Sequence, residues 1–246
     1  MLFLLLPLVA LLLRIEWAAV PAILVSPQAL NALGLSLLTA AIATLICVLL
    51  GVPLAVQLAS LRGWPATVLR GIVTMPLVLP PLVGGMAMLM LFGRGGLLGE
   101  ALLGIGIRLP FTTPAVVLAQ VFVALPFLVI SVEGALRSAD PDLPVVAEGL
   151  GAPPLTVLRR ITLPLVAPAL VSGGILSFTR ALGEFGATAM FAGNAPGTTQ
   201  TIPLAIYTAF NGAGVGQDTA LALALLLICI AFATLLLRLP SREVRA

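Results

Sequence analysis

A multi-pass, all-helical membrane fold is what this 246-residue sequence predicts, on three observations. Apolar side chains make up 61% of it and charged ones only 9%, against roughly 45–50% and about 25% in soluble domains. The charges lie mostly at the borders of long uncharged runs. Those runs approach or exceed the ~20 residues that a helix needs to cross a hydrocarbon core about 30 Å thick. A soluble fold of this size lacks the polar surface to cover so much apolar area.

The first run, Leu2 to Leu13, is short and is followed by Arg14 and Glu16. We read it as a short span with Arg14 snorkelling to the interface. A cleaved signal would want a basic stretch ahead of it. Ser26-Pro27-Gln28 is a weak break where Ser26 can cap a helix and Pro27 suits its first position. A span is therefore expected from about Leu30 to Ser60. Gly71 to Gly93 is the next run, and its Met75 to Gly85 stretch carries Pro76, Pro80, Pro81, Gly84 and Gly85. Such backbone bends or begins irregularly, and a membrane tolerates that only where protein shields it or water faces it. Pro80 and Pro81 are thus candidates for lining a water-facing path, a mere kink being the alternative.

Leu109 to Val132 and Ile161 to Thr179 follow. Continued to Phe191, the latter gains length and encloses Arg180 and Glu184. Thr219 to Leu237 is the last run. The expectation is one transmembrane domain over residues 1–246, about six transmembrane helices, with residues 137–163 as a cytoplasmic loop. With the amino terminus inside, Arg62, Arg70, Arg137, Arg159, Arg160, Arg238, Arg242 and Arg245 are cytoplasmic. Only Arg14, Arg94 and Arg108 are then outside, as the positive-inside rule asks. Both termini are expected in the cytoplasm of a cell membrane.

All twelve basic residues are arginine, and histidine is absent. Without lysine there is no P-loop and no Schiff base; without histidine there is no His-containing zinc site and no His-based triad. No catalytic residue, metal site or enzyme activity is expected. The scattered arginines also argue against a nucleic-acid partner. Cys47 and Cys229, deep in apolar runs, read as packing residues.

The most informative polar stretch runs from Arg137 to Pro164. Asp140-Pro141-Asp142 signals a helix start, with an acidic cap, a first-turn proline and a carboxylate near the positive end of the dipole. Leu143, Val145, Val146 and Leu150 supply an apolar surface too short to span. Gly149 and Gly151 allow a sharp turn. Pro153-Pro154 then starts a second short helix bearing Arg159 and Arg160, which leads through Ile161-Thr162-Leu163-Pro164 into the next span. A short helix on such an elbow suits docking into a cleft of another protein.

This stretch resembles the cytoplasmic loop of the membrane subunits of binding-protein-dependent ABC importers. Their pattern is Glu-Ala-Ala, three residues, Gly, nine residues, Ile, any residue, Leu-Pro. Gly151, Ile161, Leu163 and Pro164 match at that spacing, and Ala147 matches the second alanine. Val145 and Val146 replace the leading Glu and first alanine, and Glu148 and Asp142 each lie three residues away from Val145. The resemblance implies that Asp140, Asp142, Val145, Val146, Ala147, Glu148, Gly149, Gly151, Leu163 and Pro164 couple to an ATPase, with the acidic contact left open.

Arg180-Ala-Leu-Gly-Glu-Phe-Gly-Ala-Thr188, Phe191-Ala-Gly-Asn194, Thr199-Gln-Thr-Ile-Pro-Leu-Ala-Ile-Tyr207 and Met75 to Gly84 are similar to molybdate permease subunits of such importers. Sulfate permeases are less close. The resemblance implies the type I importer permease fold, inward carriage of molybdate or tungstate, and a homodimer in the inner membrane. It further implies two cytoplasmic ATPase subunits that hold ATP and Mg, and an external oxyanion-binding protein. No cofactor is expected in this chain. A sulfate or thiosulfate permease is the near alternative. An autonomous secondary transporter would show inverted repeats and midplane coupling carboxylates; only Glu184 is a candidate, and no repeat is visible.

Arg180 and Glu184, at i and i+4 on one expected helix, share a face. Ionisable groups at membrane depth cost roughly 2.5–3.5 kcal/mol each on insertion scales and face protein or a water path. Arg180 either lends positive potential to an anion path or forms a packing pair with Glu184; Thr188, one turn on, belongs to the same stretch. Gly183, Gly186 and Ala187 permit close helix approach there. Thr198 to Phe210, with Ile202, Ala205, Ile206 and Ala209 at helical spacing, suits an interfacial or re-entrant helix. Family resemblance makes Thr199, Gln200, Thr201 and Tyr207 candidates for contact with the binding protein or for an outer gate.

Overall fold

A computed structural model describes residues 2–139, 142–212 and 216–236. It consists of helices α1 (Leu2–Leu13), α2 (Val20–Leu24), α3 (Pro27–Ser60), α4 (Trp64–Val78), α5 (Pro81–Phe92), α6 (Gly99–Gly104) and α7 (Thr113–Ser138). Then come α8 (Asp142–Gly149), α9 (Pro154–Val157), a π-helical turn (Leu158–Thr162), α10 (Leu163–Leu182), α11 (Gly186–Phe191), α12 (Ile202–Phe210) and α13 (Gln217–Leu236). Among the described residues there is no strand.

Among the described residues, four helical stretches are long and apolar enough to cross a membrane, namely α3, α7, Leu155–Leu182 and α13. The bent pair α4–α5 makes a fifth if its two arms form one broken span, and is a re-entrant loop otherwise. At 12 residues, α1 reaches about 18 Å at 1.5 Å per residue, so it crosses a full bilayer only where the lipid thins around it. Ser26 caps α3 as expected, its Oγ accepting from Ala29 N–H at 3.3 Å.

The expected bend at Met75–Gly85 turns the chain somewhat past a right angle. α4 and α5 meet at 111°, because Pro80 and Pro81 supply no N–H to carry helical hydrogen bonding through Leu79.

The fourth span differs from the sequence reading. It gains its length backward, through the π-helical turn to Leu155, and not forward to Phe191. Leu163 N–H donates to Leu158 carbonyl oxygen, five residues back. Pro164 has no N–H, and its ring crowds the carbonyl four residues earlier, so the helix widens just before it. At the other end Gly183 stops the helix, and Gly183–Phe185 separate α10 from α11. Arg180 and Glu184 are therefore not on one helix.

α7 is the central post. It packs on α3 and α10, and more lightly on α4, α5 and α11. The main core joins Ala40, Ala43, Cys47 and Leu58 of α3 to Val121, Leu128 and Val132 of α7 and Leu182 of α10. Small residues set the spacing: a Cβ on Gly51 would stand 2.7 Å from Leu128 Cδ2, and one on Gly173 would stand 2.9 Å from Ser131 Cβ. Ser177 Oγ donates to Ala124 carbonyl oxygen at 3.1 Å, which adds an interhelical bond in the manner of membrane bundles. Cys47 is buried in this core, as expected, whereas Cys229 is exposed on α13 and does not pack within the chain.

Candidate functional site

Arg180 lies in the last turn of α10 and Glu184 in the break that follows. Their ion pair forms across the break, Arg180 Nη2 to Glu184 Oε2 at 2.6 Å. Glu184 Oε1 accepts from Ala187 N–H at 2.7 Å, so the same carboxylate caps α11. Capping joins charge to dipole here, since a helix N-terminus favours an anion. Glu184 is 1% exposed, while the Arg180 side chain keeps 28% of its surface. A buried acid bonded at both oxygens leaves neither without a partner, as burial of a polar group requires.

The pair faces a cleft of about 320 Å³ lined by Pro80, Pro81, Leu82, Arg180, Gly183, Glu184, Phe185 and Gly186. Four residues singled out from sequence, Pro80, Pro81, Arg180 and Glu184, thus meet in one place. The glycines make this possible: a Cβ on Gly186 would lie 2.9 Å from Pro81 Cβ. Thr188 is fully buried, and its Oγ1 has no hydrogen-bond partner among the described residues. It does not line the cleft.

Beyond the cleft, the 194–201 loop folds on itself. Thr199 Oγ1 accepts from Ala195 N–H at 2.9 Å. Gln200 Nε2 donates to Asn194 Oδ1 at 3.0 Å, and Asn194 Nδ2 to Thr208 Oγ1 at 2.8 Å. Ile202 N–H reaches Ser36 Oγ on α3 at 2.8 Å. Thr199, Gln200 and Thr201 are all buried, so in this conformation they build the loop and do not face outward. Tyr207 is exposed on α12, and its ring lies 5.1 Å from that of Phe185. One aromatic contact thus links the residue after Glu184 to the outer segment.

The elbow has the expected plan. α8 ends at Gly149, and Gly151 takes φ +87°, a left-handed geometry that costs a residue with a Cβ about 1–2 kcal/mol. Val146 and Leu150 are exposed, and so is Glu148. Ala147 carbonyl oxygen accepts from Ala152 N–H at 3.0 Å, closing the turn. Leu163 and Pro164 open α10. Asp140 lies outside the described residues, and Asp142 and Val145 are described only as α8 backbone.

Two features were missed in the sequence. Arg70 Nε donates to Glu133 Oε1 at 2.6 Å and Arg70 Nη2 to Leu58 carbonyl oxygen at 3.0 Å, with Arg137 Nη1 3.5 Å from the same carboxylate. This cluster ties α4 to the ends of α3 and α7 beside the elbow. Its signal was available: Arg70 and Glu133 each border an uncharged run. The second is a cavity of about 430 Å³ at the other end of α7, lined by Arg94 and Arg108 together with Leu89, Phe92, Ile107 and Phe111, among others.

The comparisons with known proteins speak to the whole chain. The family model for the binding-protein-dependent transport system inner membrane component matches residues 47–244. The chain belongs to that family. It is 52% identical over 229 residues to the molybdenum transport system permease protein ModB of Mycobacterium tuberculosis, covering 93% of this chain and 86% of that protein. A probable transport system permease protein NifC of Clostridium pasteurianum is 39% identical over 211 residues, covering 85% and 73%.

Among solved structures, a bacterial alginate ABC transporter in complex with alginate pentasaccharide-bound periplasmic protein matches at TM-score 0.75 and 20% identity, covering 96% of this chain and 87% of that one. The fold is accordingly that of type I ABC importer permeases, and the chain is a multi-pass membrane transport component. Membership in a binding-protein-dependent family is at odds with an autonomous secondary transporter.

Proposed function

We infer that this chain is the membrane subunit of an ATP-driven importer that carries molybdate, or its congener tungstate, inward by alternating access. The observation that carries the reading is the 52% identity to a molybdenum permease along 93% of the chain. The pairing of an arginine-bearing cleft with an exposed elbow at the far end of the bundle supports it.

Two copies of the chain form the pathway, and two cytoplasmic ATPase subunits bind ATP and Mg and perform all covalent chemistry. An external binding protein delivers the oxyanion. The chain itself holds no cofactor and no catalytic residue, lies in the inner membrane and keeps both termini in the cytoplasm.

The elbow formed by residues 137–163 docks into the ATPase. Asp140, Asp142, Val145, Val146, Ala147, Glu148 and Gly149 present its contact surface, Gly151 sets the turn, and Leu163 and Pro164 pass the motion into α10. ATP must stabilise the outward-facing arrangement more than the inward one, or no population shifts. The solute passes the cleft between Arg180, Glu184, Pro80 and Pro81, while Thr188 packs α11 behind it. Tyr207 takes the outer contact, and Thr199, Gln200 and Thr201 hold the loop that carries it.

Reconstitution of the permease with its ATPase and binding protein tests this. Molybdate- or tungstate-loaded binding protein is expected to stimulate ATP hydrolysis, and sulfate-loaded protein to leave it basal. The reverse ranking sinks the substrate assignment. Wild-type uptake by a stable Arg180→Ala complex removes the cleft from the path.

A further inference from the structure

We propose that Glu184 is a resident counter-anion that keeps Arg180 a weak, quickly vacated site for a tetrahedral oxyanion. This rests on the reading that the cleft lies on the solute's path, and it assigns the carboxylate a task beyond packing.

Glu184 is committed at both oxygens, to Arg180 at 2.6 Å and to Ala187 N–H at 2.7 Å. Double anchorage in a site that is 1% exposed fixes it, so it does not swing away to leave the guanidinium bare. Arg180 differs. A guanidinium carries five N–H donors, and among the described residues Glu184 is its one ion-pair partner. Its side chain keeps 28% of its surface, and the residue lines the cleft. The other walls are Pro80, Pro81, Leu82, Gly183, Phe185 and Gly186, none with a charged side chain. Prolines there have no N–H to offer a passing anion.

In such surroundings a charge acts at lower dielectric than in water. A bare guanidinium would hold a dianion tightly, and a tightly held solute leaves slowly. With Glu184 in place the site is neutral overall. An entering oxyanion meets a guanidinium whose charge is already paired and a carboxylate that repels it. It is recognised by its hydrogen-bond acceptors, then expelled without a strong trap.

The test is equilibrium binding of molybdate to the nucleotide-free permease–ATPase complex without binding protein. Glu184→Gln keeps an oxygen for Ala187 N–H but removes the counter-charge. It is expected to bind molybdate at least tenfold tighter than wild type, with affinity falling as salt is added, and to import more slowly. The double variant R180Q/E184Q restores neutrality and is expected to bind no better than wild type. An assembled E184Q complex with wild-type affinity overturns the proposal.

Should E184Q fail to assemble, Glu184→Asn substitutes. It too removes the counter-charge, so tighter binding supports the proposal and unchanged binding ends it. The two readings fail separately. Loss of uptake in R180A with unchanged affinity in E184Q leaves the path and removes the counter-anion. Wild-type uptake in R180A removes the path itself.

Discussion

A side-chain carbon built on Gly85 would stand 2.6 Å from the carbonyl oxygen of Ala187 and 2.9 Å from its Cα. Backbone meets backbone where α5 crosses α11, and neither can yield as a side-chain tip would. Gly85→Ala is therefore expected to destabilise the permease by about 1–3 kcal/mol, the range for overpacking a filled interior. Gly84→Ala meets only the ring of Phe122, at 2.7 Å, and a ring can tilt, so it costs less. Gly174→Ala in α10 meets nothing within 4 Å and is neutral or mildly stabilising, given the ~1 kcal/mol helix preference for alanine. Thermal unfolding of the detergent-purified protein ranks the three. Equal losses for Gly85 and Gly174 would show that close approach is not what Gly85 provides.

Glu133 takes Arg70 at 2.6 Å and Arg137 at 3.5 Å, but the two arginines are not equals. Arg137 is more than half exposed and pairs within its own helix, a setting worth about 0.3–0.5 kcal/mol. Arg70 joins two helices and also bonds the end of α3. A double-mutant cycle of Arg70→Gln and Glu133→Gln is expected to give about 1–3 kcal/mol of coupling, against at most ~0.5 kcal/mol for Arg137 with Glu133. Equal couplings would mean that the α4–α7 tie does not hold the elbow's base.

The architecture was legible wherever one physical rule acted alone. Run length against bilayer thickness predicts α3, α7 and α13, and Ser26-Pro27 predicts the start of α3, because apolar burial and capping are local. Proline and glycine density likewise predicts the α4–α5 bend, though not its 111° angle, which depends on what α11 packs against. The fourth span was misjudged at both ends because two local signals competed with hydropathy. Pro164 widens the helix without ending it, and Gly183 ends it inside an apolar run. At the cleft, Arg180 and Glu184 were legible as a pair and Pro80 and Pro81 as an irregularity. Their meeting was not, since it depends on Gly186 letting α11 touch Pro81. Buried Thr199 and Gln200 show the limit of polarity as a guide: Thr199 serves the loop's own Ala195 N–H and Gln200 the Asn194 side chain, so both turn inward.

Gly151 and Gly149 separate conformation from mere flexibility at the elbow. Only Gly151 has positive φ, and neither would bring a Cβ within 4 Å of another atom. Gly151→Ala is expected to strain the turn by about 1–2 kcal/mol and misdirect α8, lowering binding-protein-stimulated ATP hydrolysis and co-purification of the ATPase. Gly149→Ala, at the contact surface but with ordinary backbone geometry, is expected to lower both by less. Membrane insertion is unaffected in each, because the spans are untouched. Intact coupling in Gly151→Ala would show that the elbow's direction is not set by that turn.

Phe185 and Tyr207 stack at 5.1 Å with planes 45° apart, a tilted pair worth about 0.5–1.5 kcal/mol beyond the area it covers. The contact spans from the cleft to the exposed surface of α12, so breaking it on either side removes the same link. Phe185→Ala and Tyr207→Ala are expected to slow uptake to similar extents, and the double variant no further. Tyr207→Phe keeps the ring and is expected to transport normally, since ring contact alone makes the link. Uptake assays in vesicles carrying the assembled importer read all four. Additive losses in the double variant would mean that the two rings serve separate tasks, with Tyr207 acting only toward a docked partner.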